Sequence, residues 1–225
     1  MGWGDFNIGL MQSIDFSINA QHLILRVFDS ATNALDEEWK KDAEVYKKEI
    51  PRAYEVDESE GDIMRQDRDW QEDFYRQRNQ GVGALALDWL ACSLKGALHS
   101  AKNYLKSTHP AKGPYYKKQG WLGAVTDEYQ QRFGIDFTKG PVPFDRIQEL
   151  VLARNAGIHR DDGNLETYLK QIGKPTFVDG EDQFFVTRDA LVTIIKECEA
   201  FVKWVVSEIE KLPPAPASTP KSAVV

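Results

Sequence analysis

The stretch Ile147-Gln148-Glu149-Leu150-Val151-Leu152-Ala153-Arg154-Asn155-Ala156-Gly157-Ile158-His159 sets a permanent cation where a helical pattern asks for an apolar side chain. Upstream, Phe144, Ile147 and Val151 step by three and four along one face, and the next two steps land on Arg154 and Ile158. An unpaired guanidinium on such a stripe is costly to bury, so Arg154 must meet a partner, a phosphate or a wet groove. His159 follows at the expected helix end and is the one side chain whose ordinary pKa lies near working pH. Pro141-Val142-Pro143 bounds the entry, which predicts a short helix over 144–158.

Working outward, the same periodicity predicts a mostly α-helical bundle with four principal helices. A long N-terminal helix is expected over 9–49, with Leu10, Ile14, Leu23, Ile24, Val27 and Leu35 on its apolar side and Pro51 as its stop. An acidic loop at 54–63, Glu55-Val56-Asp57-Glu58-Ser59-Glu60-Gly61-Asp62 at its centre, is too polar to pack alone; it either docks a basic partner or is a solvated connection. The charged run 64–78 can form a second helix or extend an outer hairpin. The core helix is read over 84–105 on Leu87, Leu90, Leu94, Leu98 and Leu105, and Gly81-Val82-Gly83 before it reads as a flexible hinge. A shorter helix over 122–133 is expected to close at Gly134, and one helical turn is expected around 165–172. Residues 177–186 suit a small β-hairpin, and Thr187 suits the cap of a final helix through Ile209. The expected organisation is one domain over 1–212, with a basic and aromatic insertion at 106–143, and a disordered proline-rich tail at 213–225.

Composition excludes several classes. Hydrophobic residues make up 42% and charged residues 28%, as in a soluble globular chain. No apolar run approaches the roughly 20 residues that cross a bilayer, and residues 1–5 lack the features of a signal peptide, so the cytoplasm is the expected compartment and no membrane partner is expected. Cys92 and Cys198 each lie in an apolar helical pattern and read as buried free thiols, not a disulfide framework or metal site. His22, His99 and His109 form no ligand-like grouping, and neither metal nor cofactor is expected. A net charge of −7 argues against broad nonspecific affinity for nucleic acid. Yet residues 89–126 contain no Asp or Glu, and Lys112, Lys117 and Lys118 are interleaved there with Tyr115 and Tyr116. That mixture suits phosphate contact plus base stacking, and equally a solvated lysine face over core aromatics.

The Arg154-to-His159 helix resembles the signature helix of the HEPN superfamily, which carries an Arg, four to six residues, then a His. Asn155 directly after the Arg and Ile158 directly before the His are common in that family. The resemblance covers roughly residues 85–212. It implies a HEPN-like bundle and a metal-independent endoribonuclease whose two motifs meet across a homodimer, acting as a toxin or antiviral defence effector with a possible antitoxin or defence-system partner. It implies that Arg154 binds the scissile phosphate, that His159 serves as general acid or base while the ribose 2′-hydroxyl attacks phosphorus, and that Asn155 orients one of them. Glu149 matches an acidic position sometimes found upstream of the Arg, a candidate supporting residue. RNA contact falls to Lys112, Lys117, Lys118, Tyr115, Tyr116 and Arg160.

Spacing gives the dimer a physical sense. Five residues apart, Arg154 and His159 project roughly 140° from one another, so one isolated helix presents them poorly as a pair. Each residue has a structural alternative. Arg154 can close an ion pair with an acid on a neighbouring helix, His159 can be a cation at a helix C-terminus, Asn155 can stop the helix, and Gly157 can permit close packing. The competing functions are a non-catalytic HEPN-like dimerisation or scaffold module and a nucleotide-sensing module in which Arg154 recognises phosphate without cleaving it.

Overall fold

The computed structural model describes residues 3–109, 120–159 and 162–213. Among them the fold is all-α, with six helices: α1 (Trp3–Val56), α2 (Glu58–Thr108), α3 (Trp121–Glu128), α4 (Phe144–His159), α5 (Asp162–Gln171) and α6 (Arg188–Glu210). Lys112, Tyr115, Tyr116, Lys117, Lys118 and Arg160, and the tail beyond Pro213, lie outside the described residues.

The chain divides into two compact units, each drawing segments from α1, α2, α4 and α6. The first comprises the described residues of Met1–Ile18, Ser93–Gln148 and Glu197–Val225. Its core gathers Leu94, Leu98 and Leu105 of α2 with Phe201, Val202 and Val205 of α6. The helix predicted over 122–133 is α3 followed by a π-helical turn, Tyr129–Phe133, and it closes at Gly134, whose φ of 75° is the left-handed cap expected of glycine. That turn carries Tyr129 inward, where its hydroxyl donates to the Leu98 carbonyl at 2.7 Å. A single 3₁₀ turn, Phe137–Lys139, capped by the Asp136 side chain, then drives Phe137 into the same core.

Asn19–Cys92 and Glu149–Lys196 make the second unit. Here α1 and α2 pair as an antiparallel hairpin whose rungs fix the register: Tyr46 donates to Asp67 at 2.5 Å, Tyr75 to Asp42 at 2.8 Å, and Arg78 to Glu38 at 3.2 Å. Three departures from the sequence pattern lie in this hairpin. Pro51 lies inside α1 instead of ending it. A proline costs one backbone hydrogen bond, and partners on the facing helix hold both sides of it, Tyr46 donating to Asp67 before it and Tyr54 to Asp62 after it. The acidic run expected as a loop at 54–63 is helical except at Asp57. Asp57 accepts from the Ser59 amide at 2.7 Å at the start of α2, and Glu58 and Glu60 sit in the first turn, where the helix dipole favours anions. Finally, Gly81-Val82-Gly83 is continuous helix, not a hinge: a Cβ at Gly83 would come within 2.8 Å of the Val186 side chain, so the glycine admits a close neighbour.

The predicted hairpin at 177–186 reduces to one antiparallel bridge, Val178 with Phe184, around a turn where Asp179 accepts from the Glu181 and Gln183 amides. Thr187 caps α6 as expected, accepting from the Ala190 amide at 3.2 Å. Cys198 is buried but Cys92 is exposed, on the solvent side of the Leu90–Leu94 stripe. By length and composition alone, α2 contains one 18-residue window apolar enough to cross a bilayer, and half of that window is buried within the protein, as in a core helix.

One core position conflicts with its chemistry. Gln21 is fully buried on the α1 stripe that continues through Ile24, Phe28 and Leu35, and neither its amide nitrogen nor its oxygen has a hydrogen-bond partner among the described residues. Removing both unmet groups relieves a desolvation cost, so Gln21→Leu is expected to stabilise the fold by about 1–3 kcal/mol. A rise in the urea midpoint at unchanged slope is the readout, and a fall would show that the amide is held by a partner.

Candidate functional site

The buried stripe of α4 runs one residue earlier than the spacing suggested: Ile147, Leu150, Ala153 and Ala156 are buried, while Val151 and Ile158 are only partly so. Arg154 consequently sits at the edge of the stripe, with its side chain 30% exposed. The small residues explain the offset. Gly157 lies so close to its neighbours that an added Cβ would meet the Phe184 ring at 2.5 Å and the Ala84 methyl at 3.0 Å. The packing role considered for this glycine is therefore the one it has.

At this edge three polar side chains are joined. The Arg154 Nε donates to Asp88 Oδ1 of α2 at 2.6 Å, and its Nη1 donates to Asn155 Oδ1 at 3.0 Å. Asp88 is the residue that sequence reasoning missed. The available signal was its place beside Leu87 on the core helix, as the last acid before the acid-free segment. His159 is exposed at the last residue of α4 and joins the cluster by no hydrogen bond among the described residues. It lies about 7.5 Å further along the axis and roughly 140° around it.

No family model, curated protein or solved structure matches this chain. The site is therefore argued from its own geometry. Glu149, the candidate supporting residue, is buried and accepts from the Tyr168 hydroxyl at 2.9 Å, the Thr176 amide at 2.6 Å and the Thr176 hydroxyl at 3.2 Å. Tyr168 in turn accepts from the Phe177 amide at 3.0 Å, so the network ties the segment after α5 to α4. Burial, reinforced by the nearby carboxylate, pushes the Tyr168 phenol well above its ordinary range and keeps it a donor.

The described part of the basic segment is largely spoken for. Glu128, buried at the end of α3, holds Lys106 at 2.7 Å and Lys102 and Arg132 at 3.3 Å. Burial pushes its carboxyl up, but Lys106 and Lys102 together pull it below the usual range. Lys95 lies over the Trp121 ring at 6.0 Å. Burial, then the Lys102 charge, lowers the His99 pKa, which favours a neutral imidazole beside these lysines. Among the described residues no group of three His, Cys, Asp or Glu is placed to hold a metal.

A groove of about 610 Å³ opens beside the end of α4, lined by Gly157 and Ile158 with Ala31, Ala34, Gly81 and Leu85.

Proposed function

We propose that the chain is a metal-independent endoribonuclease of HEPN type, cytoplasmic, working as a homodimer in which two copies of α4 share one RNA phosphodiester. The observation that supports this reading is the preset guanidinium. Asp88 and Asn155 take two of the five N–H donors of Arg154, and the other three have no partner among the described residues. Anchored through Nε and Nη1 and partly exposed, the guanidinium keeps both Nη2 hydrogens and one on Nη1 to offer to phosphate oxygens as charge develops. In the reaction the ribose 2′-oxygen bonds to phosphorus and the bond to the 5′-oxygen breaks. One His159 takes the 2′-hydroxyl proton, and the second copy's gives a proton to the leaving oxygen. The products are a 2′,3′-cyclic phosphate and a 5′-hydroxyl.

A second reading is favoured by the same Asp88 carboxylate, which neutralises Arg154 without any phosphate and would suit a non-catalytic HEPN-like dimerisation module. Incubating the purified chain with labelled single-stranded RNA in excess chelator separates the two. The nuclease reading expects cleavage, slowed at least a hundredfold or so by His159→Ala and by Arg154→Ala at unchanged helicity. Cleavage that survives His159→Ala rejects the mechanism. A dimer that cuts nothing selects the second reading.

A further inference from the structure

The α1–α2 hairpin carries large apolar side chains that its own pairing leaves outside. Val27, Val45, Trp70, Phe74, Leu85 and Trp89 are each between 43% and 62% exposed. Single exposed hydrophobics need no explanation, but these are aligned. On α1 the positions 27, 31, 34, 38 and 45 share one helical face, and on α2 so do 70, 74, 78, 82, 85 and 89. The register set by Glu38 with Arg78 and Asp42 with Tyr75 puts Val27 across from Trp89, Ala31 across from Leu85, and Val45 across from Trp70. The two faces therefore form one flank about 27 Å long, the length of an 18-residue helix. Its middle is the groove of about 610 Å³, floored by Ala31, Ala34, Gly81 and Gly157, where small residues leave room for a third backbone. Toward the outer end Trp70 and Phe74 stack at 5.9 Å, and Arg78 lies 5.6 Å from the Phe74 ring. The six side chains expose on the order of 600 Å², the upper end of what a lone chain carries as one patch.

The charge around this flank selects the occupant. The two stretches that carry the flank, 27–45 and 70–89, hold 9 acidic and 4 basic side chains, net −5 of the chain's −7. A second copy laid on the flank would bring the same −5 with it, and like charges at close range oppose that pairing. A helix with an apolar stripe and lysine or arginine beside it satisfies both the groove and the field. We propose that this flank of the α1–α2 hairpin is a docking site for a cationic amphipathic helix of a partner protein, held apolar face down in the groove. The proposal is independent of the nuclease reading.

Fluorescence anisotropy of a labelled 21-residue synthetic helix, with leucine at positions i, i+4, i+7 and i+11 and lysine around them, tests it against the full-length chain. Saturable binding is expected, at least tenfold tighter than for the same helix with glutamate in place of lysine, and weakened at least tenfold by Trp70→Ser combined with Trp89→Ser. If that pair unfolds the chain, Val45→Asp is expected to weaken binding in the same sense. Equal binding of the two helices, or binding unmoved by the variants, overturns the proposal. So does a dimer in sedimentation equilibrium that the serine pair dissolves, since the flank would then belong to a second copy. A dimer that the serine pair leaves intact, with the lysine helix still bound, supports it.

Discussion

Glu149→Ala is expected to destabilise the folded chain by about 3–4 kcal/mol, because it removes the one acceptor shared by three donors. The carboxylate is only 2% exposed, and its two oxygens serve the Tyr168 hydroxyl, the Thr176 amide and the Thr176 hydroxyl. A buried donor that loses its acceptor costs about 1–3 kcal/mol, and the Thr176 amide cannot swing elsewhere without moving the segment that Phe177 anchors. The effect should be graded by how much is orphaned. Thr176→Val deletes the 3.2 Å contact while keeping the amide's, and is expected to cost less than Glu149→Ala, about 1 kcal/mol. Urea titrations compare the two, and a loss below about 1 kcal/mol for Glu149→Ala would mean that water replaces the carboxylate.

Phe137→Ala should cost as much, about 3–5 kcal/mol, although its turn is only three residues long. The ring is fully buried, with centroids 4.9 Å from Tyr129, 5.1 Å from Phe201 and 6.1 Å from Phe144. Those neighbours belong to the π-helical turn, α6 and α4, so the cavity left by alanine is walled by separate elements and cannot close by a rotamer change alone. At roughly 2–4 °C per kcal/mol for a chain of this size, the melting temperature should fall by about 10–15 °C. Phe137→Leu, which keeps most of the volume, should recover more than half of that. A fall below about 3 °C for the alanine variant would show that the cluster does not hold the first unit together.

How much of this was legible in the sequence follows from the range of the interactions. Gly134, the prolines before Phe144 and Thr187 act within a few residues, and the helix ends they mark lie where the pattern put them. Pro51, the acidic run and Gly83 were misread because each is decided by a facing helix or a distant side chain, Val186 in the case of Gly83. The stripe of α4 admitted two registers one residue apart. Ala153 and Gly157 decide between them by close approach, which hydrophobic periodicity hardly records. In the candidate site, Arg154 beside Asn155 was visible as a local pair. Asp88 lies 66 residues away in sequence, and the partners of Glu149 lie 19 and 27 residues on, so neither spacing nor propensity could assign them.

Three rungs of the α1–α2 hairpin are built from a neutral phenol giving its hydrogen to a carboxylate: Tyr46 to Asp67, Tyr54 to Asp62 and Tyr75 to Asp42. Dissolved ions screen a bond of this kind far less than they screen a pair of opposite charges. The bond to Asp67 pushes Tyr46 up to about 12, and burial followed by the bond to Asp42 does the same for Tyr75. Both phenols are raised above their ordinary value, so what they contribute is whole below about pH 10 and is lost only as the solution passes about pH 12. The two long arms should therefore stay zipped in brine and in mild alkali, conditions that would loosen a ladder of lysines and glutamates.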